Sequence, residues 1–151
     1  MNNGANMFKG IGSGFVATLV LSAIMLVKQA MGVMPELNSV QMITQMSGAQ
    51  SPIIGWLMHF FIGTILWGVL YVSVNPFLPG PHWFRGAAFA TGAWLLMMIL
   101  MMPMAGAGFF GLHMGMMAPI ATLVLHWIYG AVLGAVYGAW AHPEHAQPTR
   151  A

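Results

Sequence analysis

Residues 52–68 read PIIGWLMHFFIGTILWG, and residues 119–135 read PIATLVLHWIYGAVLGA, an offset of 67 positions. Laid one over the other, Pro52 falls on Pro119, Ile53 on Ile120, His59 on His126, Gly63 on Gly130 and Leu66 on Leu133. One turn further, Val69 falls on Val136. On a helix that turns about 100° per residue, positions 52, 59, 63 and 66 lie within one narrow arc, so the shared residues form a seam on one face. The pattern predicts two helices with matched faces, each carrying a histidine about 10 Å of helix rise beyond a proline.

The rest of the chain says what surrounds those helices. Of its 151 residues 59% are hydrophobic and 4% charged, with a mean hydropathy of +0.79. A soluble domain carries roughly 25% charged residues to cover its surface. This composition cannot do so, and it predicts an integral membrane protein. Cysteine is absent, which excludes disulfides, thiolate metal sites and cysteine nucleophiles. The pI of about 9.4 rests on a net charge of +2, and no basic patch points to nucleic acid. Glu36 and Glu144 are the only carboxylates. No nucleophile–base pair, phosphate-cradling glycine loop or HExxH motif occurs, so hydrolytic chemistry has no candidate residues.

The expected fold is all-α, a single transmembrane domain over residues 1–151 with spans near 10–30, 53–74, 85–103 and 119–140. The first run also follows a basic residue, as a signal peptide does, but it is long for one and lies inside the repeat. Leu37, Val40, Ile43 and Met46 recur at helical spacing among polar residues, which predicts a short helix lying in the interface. Asn75-Pro76 and Pro79-Gly80-Pro81 make a rigid turn, and Pro103 stops the third span. Residues 105–117, AGAGFFGLHMGMM, are too broken for a span and read as a short interfacial or re-entrant connector. The polar tail, AHPEHAQPTRA, reads as disordered.

Phe8-Lys9-Gly10 matches Phe84-Arg85-Gly86 at the openings of the first and third spans. The chain thus reads as two tandem helical hairpins, about 8–74 and 84–140, related by a pseudo-twofold axis along the membrane normal. Lys9, Arg85 and Arg150 fall on one side and Lys28 on the other, which places both termini in the cytoplasm of a bacterial inner membrane.

His59 and His126 lead the candidate site. A polar side chain in the hydrocarbon layer needs a partner, and Gly63 and Gly130 clear space one turn away for a helix or a flat ligand. The pair suits haem b iron, a quinone carbonyl, or a metal ion with His113 as third nitrogen. Hydrogen bonds to neighbouring helices are the plainer reading. His113, Met114, Met116 and Met117 form a separate imidazole–thioether set suited to Cu(I), although methionine also serves as adaptable apolar filler. Gly130, Gly134 and Gly138 form one small-residue ridge, and Gly10 with Gly14 begins another; both predict close helix packing. On the second span the equivalent ridge reads Gly63, Trp67, Tyr71, an asymmetry that would make one side a lipid or partner face and the other the internal seam. Trp56 and Trp127 lie near the histidines, while Trp83 and Trp140 suit the membrane interface. Lys28 is placed to snorkel, or to pair with Glu36 or a lipid phosphate.

The stretches FKG at 8–10, ATLVLS at 17–22, GVMPELN at 32–38, GWLMHFFIGTILWG at 55–68, FRG at 84–86, AWLLMM at 93–98, MPMAGAGFFG at 102–111 and APIATLVLHWIYGAVLGAVYG at 118–138 resemble a family of small, uncharacterised four-span bacterial membrane proteins. The resemblance implies four spans and brings no ligand or activity. Together these readings describe a small structural or accessory membrane protein in contact with the bilayer, as a homo-oligomer or part of a larger assembly. The competing class is an electron-transfer protein using His59 and His126, with copper binding or transport as a third.

Overall fold

The computed structural model describes residues 3–141; the polar tail beyond Ala141, with Arg150, lies outside the described residues. Four helices are long and apolar enough to cross a membrane. They are α1 (Asn3–Ala30), α3 (Pro52–Phe77), α4 (His82–Met104) and α5 (Met117–Ala141). A short helix, α2 (Ser39–Met46), joins the first two. Among the described residues there is no strand.

Local chemistry sets the helix ends. The Asn38 side chain accepts from the Gln41 amide at 3.0 Å and starts α2. Ser51 caps α3 with Pro52 in its first turn, where the missing N–H costs nothing. The connector after α4 folds into a 3₁₀ turn over Phe109–Met114 rather than a span. Gly108, Phe110 and Gly111 adopt left-handed backbone there, at φ of 75°, 56° and 68°. Glycine reaches that region at little cost, which explains the composition of the stretch. Lys28 at the end of α1 donates to the Val33 and Met34 carbonyl oxygens at 3.1 and 2.7 Å, so its ammonium closes the α1–α2 loop.

The glycine ridges are used inside the chain. A methyl group on Gly14 would lie 2.7 Å from the Thr64 carbonyl oxygen, and one on Gly68 would lie 2.6 Å from that of Gly10. Backbone therefore meets backbone along the α1–α3 seam. In the second pair Gly130 faces Gly86 and Ala90, Gly134 faces the His82 carbonyl, and Gly138 lies against the His82 ring. Helices α1 and α5 also pack on each other across the middle, whereas α3 and α4 touch chiefly near their shared loop. Tyr71, Tyr129, Leu133 and Tyr137 build the main core with Ala17 and Ala90.

Of the seam read across positions 52, 59, 63 and 66, His59 and Gly63 are buried, and Pro52 at the helix start and Leu66 are exposed. Leu66 is 45% exposed, while its counterpart Leu133 is fully buried. A π turn over Ile62–Leu66 inserts one extra residue into the helical round and rotates the remainder of the helix. Trp67 and Tyr71 are accordingly internal: Tyr71 has no exposed surface, and both rings pack against Phe89. A second π turn, Met97–Met101, lies just before Pro103, whose ring would press on the carbonyl four residues back in a regular helix. With the round widened there, Pro103 fits as the last residue but one of α4, which ends at Met104.

Candidate functional site

His59 and His126 line one cavity of about 140 Å³. All four long helices and α2 contribute to its wall: Thr18 and Leu21 from α1, Met42 and Ile43 from α2, Gly63 and Trp67 from α3, Ala93 and Met97 from α4, and Tyr129 from α5. It occupies the gap between α3 and α4. Leu96 belongs to its wall and is 49% exposed, so the space reaches the outer surface of the bundle at that residue.

The two imidazoles are held differently. His59 is buried, and its Nε2 lies 3.2 Å from the Ser22 hydroxyl of α1. Trp56 stands edge-on to the ring with centroids 5.8 Å apart. His126 Nδ1 lies 2.8 Å from the Thr122 carbonyl oxygen one turn back on its own helix. A carbonyl can only accept, so Nδ1 carries the proton and Nε2 presents a lone pair. No protein group among the described residues pairs with that nitrogen. Tyr129 donates to the Gly63 carbonyl oxygen at 2.5 Å, tying α5 to the π turn of α3 beside the cavity. π turns commonly mark functional sites, and here both of them contribute wall residues.

The other candidates sort by position. Gly63 lines the cavity and sits against Thr18. Gly130 faces Gly86 and Ala90 instead, so its small size serves helix packing and it borders no ligand space. Gly10, Gly14, Gly134 and Gly138 lie in the helix seams. His113 does not join the other two histidines: its Nδ1 lies 3.1 Å from the Gly106 carbonyl oxygen on the connector, away from the cavity wall. Met114 packs against Met98 and Met102, whereas Met116 and Met117 are 78% and 60% exposed. The imidazole–thioether set therefore divides between the core and the outer surface. Among the described residues no three histidine or carboxylate side chains gather as a metal site. Trp127 is 47% exposed and donates to Thr91 at 2.9 Å, so it turns away from a cofactor role.

Ser22, Tyr129 and the α2 side chains escaped the sequence reading. Their one available signal was polarity inside apolar helices, and Ser22 and Tyr129 each resemble an ordinary helix residue until a partner helix is placed.

The fold and this cavity define a small, multi-pass, all-helical membrane protein with a histidine-lined internal space. The chain belongs to DUF6789, a family of unknown function whose model matches residues 4–147. No curated protein and no solved structure matches it.

Proposed function

We propose that this is a small accessory protein of the bacterial inner membrane that holds a small molecule between two helical hairpins, with both termini in the cytoplasm. The observation that carries the reading is the convergence of His59 and His126 on one space between helices whose other seams close tightly. The paired seams, Gly14 on Gly63 and Ala90 on Gly130, support an origin of the two hairpins in one duplicated unit. In a twofold arrangement the α3–α4 contact would mirror the α1–α5 contact. The cavity stands where that second contact opens. The bundle's exposed leucine, isoleucine and phenylalanine side chains meet lipid, or further subunits of a membrane assembly.

The geometry favours a binding protein over a haem-based electron carrier. Drug-sized ligands fill pockets of about 300–1,000 Å³. The space here is less than half of that lower bound, and haem is larger than such ligands. His59 Nε2 is also engaged with Ser22. The test is a visible spectrum of protein purified in mild detergent, beside His59→Ala and His126→Ala. A colourless preparation is expected. A Soret band lost in both variants would establish bis-histidine haem ligation and overturn the accessory reading.

A further inference from the structure

We infer that the cavity between α3 and α4 takes a single aromatic ring bearing a hydroxyl, the chemistry shared by free phenols and the head groups of lipid quinols. This rests on the reading of the cavity as a binding site and adds the class of ligand. Size comes first. A protein cavity of about 150 Å³ lined by apolar side chains holds one benzene molecule, and this one measures about 140 Å³. Its wall supplies the apolar contact such a ring needs, through Leu21, Met42, Ile43, Trp67 and Met97.

Polarity comes second. Thr18 spends its hydroxyl hydrogen on the Gly14 carbonyl at 2.7 Å, and Tyr129 spends its own on Gly63. His59 meets Ser22. Left over are the Ser39 hydroxyl of α2, His59 Nδ1 and His126 Nε2, the last an acceptor because Nδ1 donates to Thr122. An unpaired acceptor on an apolar wall selects a ligand with an O–H over one of the same shape without it. The half-exposed Leu96 at the rim gives a hydrocarbon chain on the ring a way out to lipid. The inference is of binding alone, with no electron or proton delivered elsewhere.

The experiment uses the full chain in lipid nanodiscs and follows ¹⁹F NMR of 4-fluorophenol and the near-isosteric 4-fluorotoluene, with empty nanodiscs as the partition control. Fluorophenol is expected to bind roughly 3- to 10-fold more tightly, the yield of one net hydrogen bond. His126→Phe brings the ratio to about one, and His126→Gln, which keeps an acceptor, restores part of it. Should the variants fail to fold, the ratio in the natural protein still decides. Equal binding of both probes overturns the hydroxyl assignment and leaves the cavity a binding site. Binding of neither overturns both. Competition by 4-octylphenol separates the sources. Tighter displacement supports a membrane-borne ring with its tail beside Leu96, and weaker displacement supports a free phenol.

Discussion

Single polar atoms inside the spans decide much of this molecule's stability, because no water in the hydrocarbon layer can replace a missing partner. Two of them give opposite expectations. The Tyr129 hydroxyl fastens α5 to the Gly63 carbonyl. Tyr129→Phe keeps the ring and removes the bond, and is expected to lower unfolding stability by about 1 kcal/mol. The Thr64 hydroxyl is buried with no hydrogen-bond partner. Thr64→Val keeps the shape and removes the orphan, and is expected to raise stability by about 1 kcal/mol. Both are measured by denaturation in mixed micelles. A loss at Thr64 as large as that at Tyr129 would mean that its hydroxyl has a partner in the membrane.

At the scale of the helix, the spacing of buried residues shows what the π turns do. On α3 Gly55, His59 and Gly63 are buried at intervals of four, and the next is Gly68, five on, followed by Tyr71 and Asn75. On α4 Gly86, Ala90 and Ala93 lead to Met98, again five on. Each widened turn absorbs one extra residue, so the buried stripe stays in line on both sides. Deleting the exposed Ile65 should therefore relax α3 to a regular helix and leave Gly68 and Tyr71 on their partners. Deleting the exposed Ala135 from α5, which has no such turn, should rotate everything after it by about 100°. Retained folding in the first deletion and loss in the second, read by monodispersity on size exclusion, is the expected pair of results. Equal loss in both would contradict it.

The same turns explain where the sequence could be read and where it could not. Uninterrupted apolar runs make four helices legible, and the glycine ridges make their close packing legible. The arc through His59 and Gly63 is legible because it precedes the extra residue. Leu66 falls after it, so a uniform 3.6-residue period assigns it to the wrong face. The histidine pair stood out because it repeats. Its shared cavity depends on α2 and on the separation of α3 from α4, neither of which leaves a periodic mark. The imidazole–thioether set is spread for a different reason: adjacency in sequence at Met114–Met117 does not survive a 3₁₀ turn followed by the start of a helix.

Across the whole molecule, two glycine-sealed hairpins are joined through α1 and α5 and parted between α3 and α4. The orientation is open to direct test, since the chain contains no cysteine. Gln50→Cys, on the α2–α3 loop, should react with a membrane-impermeant maleimide added outside cells after the outer membrane is made permeable. Pro79→Cys, on the α3–α4 loop, should not. The reverse pattern would invert the topology and place the cavity-side loop in the cytoplasm. The central claim is that the space shared by His59 and His126 is real. Ala93, buried at 8% exposure, lines that space. The measurement that tests the claim most directly is the unfolding stability of Ala93→Leu. A true cavity accepts the added carbons, and stability should rise by about 0.5–2 kcal/mol. A fall of about 1–3 kcal/mol, the ordinary result of overpacking a filled core, would mean that the helices already meet there and that no cavity exists.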